Sequence, residues 1–170
     1  MSKNIEMSKI ITIEKRISLE PQYLDSNINQ HILKKLKDIS NNECTKEHGY
    51  FLKIVKLNKI INNYISSDCQ IIFNVEYDAE TLKPETNKIF EGTVCMIFSG
   101  GIFLTIKNKM KVLIPISSLS EFEYKQSSNN FINKKNNKET IKENDVLKIS
   151  ISGIKYSKSN FSCFGTLVKN

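Results

Sequence analysis

Only one stretch of this chain carries a helical period, and that restricts the architectures open to it. Leu24, Ile28, Ile32 with Leu33, Leu36 and Ile39 recur every three or four residues, which puts apolar groups on one helical face. Pro21 suits a first turn, and the polar SNNE from Ser40 ends the pattern. Around it the sequence alternates. In KIITIEKRISL, Ile11, Ile13, Ile17 and Leu19 share a face, and Lys15 is the irregularity on that face. GYFLKIVKLNKII from Gly49 is rich in β-branched residues, and in CQIIFNVEYDA Ile71, Phe73, Val75 and Tyr77 share a face. The order β-α-β-β predicts an α+β unit, a small antiparallel sheet carrying one helix.

The polar ETLKPETNK is the best domain boundary, placing residues 1–83 in one domain and 84–170 in a second. Beyond it strands come at short intervals: Ile89–Phe98, Ile102–Ile106, Met110–Ile114, Val146–Ile154 and Phe161–Val168. Five short strands with no helical period between them predict a small closed barrel. The Asn-, Lys- and Ser-rich segment at about 121–143 offers little to bury, and a mobile insertion is expected there. No internal repeat is expected in the chain.

The Gly100-Gly101 pair admits a phosphate cradle or a hairpin. SGGIFLTI has neither the G-x-G-x-x-G nor the G-x-x-x-x-G-K-[ST] spacing, and a strand rather than a helix follows it. A hairpin fits, with both glycines supplying positive φ. In its first strand Val94, Met96 and Phe98 share one side, against Thr93, Cys95 and Ile97. In its second, Ile102, Leu104 and Ile106 oppose Phe103, Thr105 and Lys107, and in the third strand Lys109 and Lys111 face away from Met110, Val112 and Ile114. Outward aromatics beside outward lysines make a platform for single-stranded nucleic acid, because bases stack on rings and ammonium groups follow phosphates. The same spacing also fits Phe98 and Phe103 as core residues and the lysines as a solvated face.

The net charge of +7 suits a polyanionic partner. Arg16 is the sole arginine, so the charge is suited to phosphate steering more than to base readout, and A/T-rich coding produces the same lysine excess. Cys44, Cys69, Cys95 and Cys163 are scattered and His31 and His48 stand alone, so neither a metal site nor a cofactor is expected. Asp25, Asp38, Asp68, Asp78 and Asp145 show no D-x-D clustering for a two-metal reaction. The opening MSKNIEMSK lacks the apolar core of a secretory signal, and no apolar run is long enough to span a bilayer, so no membrane role is expected.

FEGTVCMIFSGGIFLTI followed by KVLIPISSL resembles the S1-type OB-fold. Taken with ISLEPQYL, NNECTKEHGYFLKIVKL, CQIIFNVEYDAETLKP and the terminal FSCFGTLV, the whole chain resembles the seventh-subunit family of RNA polymerase II, which has its archaeal counterpart in the polymerase stalk. The resemblance implies an N-terminal tip domain docking on the large polymerase subunits, followed by a five-stranded OB-fold barrel directed at nascent single-stranded RNA. It also implies a fourth-subunit-like stalk partner, and no catalytic residue in this chain. Docking would fall on Leu19, Pro21, Tyr23, Gly49 and Tyr50, each of which equally fits plain core packing. RNA contact would fall on Phe98, Phe103, Lys107, Lys109 and Lys111.

The family's glycine-rich segments are replaced here by PETNKIFEG and KEHGY, and VKLNKIINNYISSDC lacks the usual hairpin glycines. Such divergence together with the Lys/Asn-rich composition points to a large cytoplasmic DNA virus. The product would then act in host-cytoplasm viral factories and the virion, and in the nucleus if the gene is cellular. The rival reading is a free-standing OB-fold protein of RNA binding or translation. An α+β unit preceding the barrel argues against it.

Overall fold

Alternation along β1 (Lys9–Leu19) and β4 (Ile71–Leu82) sends every second side chain to the same face, and in the computed structural model, which describes residues 8–168, that face is covered by a helix. The chain divides into two units, one spanning Ser8–Lys83 and the other starting at Pro84. In the first, β1, β2 (Cys44–Thr45), β3 (Gly49–Ile65) and β4 form an antiparallel sheet in the order β1-β4-β3-β2. Helix α1 (Ile28–Ser40) packs Ile32 and Leu36, both fully buried, against Ile17, Phe51, Phe73, Val75 and Tyr77.

The helical face is shorter than its spacing suggests. Leu24 lies before the helix and is 52% exposed, and Ile39 falls off the buried stripe while Ser40 takes the inward position. Pro21–Tyr23 forms a separate 3-10 turn. The Asp25 carboxylate accepts the Asn27 N–H at 2.7 Å and lies 3.1 Å from His31 Nε2, tying the chain entering α1 to its first turn. Tyr77 Oη and Ser40 Oγ are both buried, and burial, with the Glu43 charge adding and the Ser40 hydroxyl opposing, pushes the Tyr77 hydroxyl up to about 12.

β3 does contain an internal repeat, contrary to the sequence expectation. Lys53-Ile54-Val55, Lys56-Leu57-Asn58 and Lys59-Ile60-Ile61 are triplets, and each is set against only two residues of β4. Ile54, Leu57 and Ile60 oppose Ala79, Tyr77 and Val75 on the helix side, and the lysines oppose Glu80, Asp78 and Glu76 on the other. The third residue of each triplet is a β-bulge that takes up the mismatch between a period of three and a period of two. Lys53–Glu80, Lys56–Asp78 and Lys59–Glu76 stand at 3.6, 3.6 and 3.4 Å. Their lysines are mostly exposed, so each pair contributes at most ~1 kcal/mol. Bulges of this kind also blunt a long edge strand, and Lys15 does the same for β1: it points to the apolar side and pairs with Glu43 at 2.6 Å.

The second unit is a closed barrel in the order β11-β12-β7-β6-β5. Its strands are β5 (Ile89–Phe98), β6 (Gly101–Ile106), β7 (Met110–Pro115), β11 (Val146–Ser157) and β12 (Asn160–Leu167). Phe90, Val94, Ile102, Leu104, Met110, Val112, Ile114, Ile149 and Ile151 fill it, all fully buried. β12 and β7 run parallel and the other pairings are antiparallel.

Residues 121–143 are not an unstructured excursion. β8 (Phe122–Lys125), β9 (Asn130–Asn133) and β10 (Thr140–Ile141) form a three-stranded sheet that follows a 3-10 turn at Ile116–Ser118. Three buried apolar side chains, Leu119, Phe131 and Ile141, hold it, with Asn130 and Asn133 buried beside them. Asparagine supplies much of the rest: Asn133 Oδ1 accepts the Lys135 N–H at 2.9 Å while its amide donates to Glu139 at 2.6 Å. Composition suggested a segment with too little to bury, but its polar side chains satisfy turn backbone that would otherwise need water.

Candidate nucleic-acid interface

β6 carries the centre of the site, and its neighbours were only half legible by alternation. A bulge at Cys95 shifts the β5–β6 register between Val94 and Met96. Val94 therefore faces inward while Met96 and Phe98 face out, which corrects the grouping of Val94, Met96 and Phe98 on one side. The correction brings Phe98 onto the same surface as Phe103, and their rings stack at 5.8 Å with a 20° interplanar angle.

The two glycines have different tasks. Only Gly101 has positive φ, at +147°, and a Cβ there would stand 2.2 Å from the Ile114 carbonyl oxygen. At Gly100 a Cβ would lie 2.6 Å from Phe98 Cε2, so the bare backbone is the seat of that ring. The pair thus closes β6 onto β7 and holds the outward aromatic flat.

Strand register extends the surface. Met96 lies opposite Phe103, Phe103 opposite Leu113, and Leu113 opposite Phe164, giving an apolar row across β5, β6, β7 and β12. Met96 and Phe164 are 53% and 47% exposed. A hydroxyl and ammonium row runs beside it: Thr93 opposite Thr105, Thr105 opposite Lys111, and Ser162 opposite Lys155.

The ends of these strands are basic. Lys107 and Asn108 (φ +53° and +56°) turn β6 into β7, and the Lys109 N–H donates to the Ile106 carbonyl at 3.1 Å. Lys158 and Ser159 (φ +49° and +57°) turn β11 into β12 in the same way. Because β7 and β12 are parallel, with Val112 beside Cys163, the two hairpins emerge at one end of the barrel. Neither 105–113 nor 153–163 contains an acidic residue. Lys107, Lys109 and Lys111 are thereby joined by Lys155 and Lys158, with the lysine turn ~13 Å along β6 from Phe103 at ~3.3 Å per residue. Met96, Leu113, Phe164, Lys155 and Lys158 were not identified in the sequence. The outward alternation of NFSCFGTL marks Phe164, but its neighbour Leu113 is set by a parallel pairing no local pattern records.

In the first unit the five sequence-named docking residues separate. Leu19 and Tyr50 are buried at 5% and 7% exposure, and Gly49 holds a backbone turn at φ +79°. Pro21 and Tyr23 are exposed. Leu19 and Ile65 both lie opposite Ile71, so the chain leaving β1 and the end of β3 share one end of the sheet. Tyr23, Leu24, Ile61, Tyr64 and Ile65 give that end its exposed apolar groups.

Residues 83–163 match the S1 RNA binding domain. RNA polymerase II subunit RPB7 of Glycine max is 21% identical over 165 residues, covering 92% of this chain and 90% of that protein. A putative DNA-directed RNA polymerase subunit, L376 of Acanthamoeba polyphaga mimivirus, is 24% identical over 148 residues, 84% of this chain and 72% of that one. Protein 250L of Invertebrate iridescent virus 6 is 32% identical over 102 residues, 58% of this chain and 70% of that one. Among solved structures, RNase R of Mycoplasma genitalium matches at 24% identity with a TM-score of 0.40, over 49% of this chain and 13% of the ribonuclease. With similarity to RPB7 running over nearly the whole of both chains, and the viral relatives matching beside it, the chain belongs to the RPB7 family of RNA polymerase subunits and their viral homologues.

Proposed function

We propose that this chain is the non-catalytic stalk subunit of a DNA-directed RNA polymerase encoded by a large DNA virus, docking on the large subunits through its first unit and meeting nascent RNA with its barrel. The observation that carries this is the reach of the RPB7 similarity, which runs through both units rather than the S1 domain alone. A free-standing S1 protein has no need of the first unit. The viral relatives support the source, and action in cytoplasmic viral factories and packaging in the virion go with it.

Docking is assigned to the end of the first sheet that exposes Tyr23, Leu24, Ile61, Tyr64 and Ile65, since clustered exposed apolar groups on a small unit mark an interaction site. RNA is assigned to the barrel face: bases on Phe98, Phe103 and Phe164, phosphates along the two lysine hairpins. A fourth-subunit-like partner completes the proposed stalk.

Affinity capture of the tagged chain from producing cells tests the assignment. The large polymerase subunits should be recovered in stoichiometric amounts, and recovery of ribosomal or translation factors alone would overturn it. Combining Phe103→Ala, Lys107→Ala and Lys109→Ala should weaken RNA binding while leaving recovery of the polymerase unchanged.

A further inference from the structure

The barrel unit is electrically two-ended. The starts of β7 and β12 carry the lysine hairpins. Where those strands finish, a groove of about 660 Å³ runs between the barrel and the β8–β10 sheet. Its rim is acidic: Glu91 from β5, Glu121 before β8 and Glu139 before β10 line it. Two bases stand against these three glutamates: Lys148, opposite Glu91 in the β11–β5 register, and Lys134, whose ammonium donates to the Ser120 carbonyl of the groove wall at 2.9 Å, so the rim keeps a net negative charge. The floor is apolar, with Leu147 and Leu167 half-buried and Val146 64% exposed.

We propose that this groove is a docking site for a segment of another polypeptide that presents an apolar anchor flanked by lysine or arginine. The sign of the charge selects the occupant. From Pro84 onward the chain has 13 lysines and seven acidic residues, a net of +6, so a cationic segment meets net repulsion from the unit as a whole and attraction where three of the seven acidic residues line one groove. RNA is repelled by the same rim, which separates this surface from the aromatic face. Burial of Val146 and the two leucines supplies the affinity, and the glutamates supply selection and approach.

The test uses the full chain and a labelled twelve-residue peptide alternating leucine and lysine, with the leucine–glutamate counterpart as control. The lysine peptide should bind, shift the methyl resonances of Leu147 and Leu167, and resist displacement by excess oligouridylate. The glutamate peptide should not bind. Glu91→Lys with Glu139→Lys should weaken binding at least tenfold. Glu139 accepts a bond from Asn133, so Glu91→Lys with Val146→Lys, both at exposed positions, gives a second variant that spares the small sheet. Unchanged affinity in the second variant, displacement by oligouridylate, or methyl shifts on Leu113 and Met96 instead would overturn the assignment.

Discussion

At Gly49 a Cβ would stand 2.3 Å from the Leu82 carbonyl oxygen with φ at +79°, so Gly49→Ala must move backbone as well as adopt a left-handed conformation. A cost of at least ~2 kcal/mol is expected in urea unfolding, against a few tenths for an exposed glycine with neither constraint. Thiol chemistry separates the cysteines just as sharply. Burial pushes the Cys44 thiol up to about 11, and Cys163 is also buried, whereas Cys69 and Cys95 are exposed. Iodoacetamide at neutral pH should label Cys69 and Cys95 in the native protein and reach the other two only after unfolding. Asp78 is held below the ordinary 3.8 by hydrogen bonds from Asn58 and Thr12, with the Lys56 charge adding. Its folded value is depressed, so its stabilisation is fully present above 3.8 and is lost as pH falls through that lower value. Asp78→Asn should flatten the acid limb of the stability profile below pH 4.

The elements differ in how plainly their sequences announce them. α1 rests on Ile32 and Leu36, and Leu36→Ala should cost ~2–5 kcal/mol because the sheet beneath cannot collapse into the space. The helix was legible because its period of 3.6 contrasts with everything around it, and the barrel strands were legible from their alternation. Triplets hid the construction of β3. A period of three fits neither template and appears as a strand only when set against the strictly alternating β4. Deletions should expose the difference. Removing the bulge residue Asn58 leaves Leu57 and Ile60 facing the helix and Lys59 facing away, so the urea midpoint should fall modestly. Removing Leu57 instead sets Asn58 opposite Tyr77 on the helix side, so the midpoint should fall further than it does for loss of Asn58. The bulge at Cys95 defeated the sequence in the same way: one unpaired residue exchanged the faces of Met96 and Phe98.

Across the whole molecule the charge is partitioned. Ser8–Lys83 has 11 basic and ten acidic residues, a net of +1, while the barrel half holds nearly all of the excess. RNA binding should therefore be sequence-tolerant and steep in salt. Five lysines at phosphates correspond to a log–log slope of about −3.5, and replacing Lys155 and Lys158 by glutamine should reduce its magnitude by ~1.4. An unchanged slope would show that the second hairpin lies off the path of the strand. Local pattern alone determined the α+β unit, the barrel strands and the outward placement of Phe103, Lys107 and Lys111, because periodicity and turn chemistry act between residues a few positions apart. Tertiary structure alone decided that Phe164 joins Phe103, that Lys158 stands at the same end as Lys107, and that Leu19 and Tyr50 are withdrawn into a core. Those outcomes depend on which strands pair and in what register, and hydrogen bonds between strands distant in the chain leave no trace in either one read by itself.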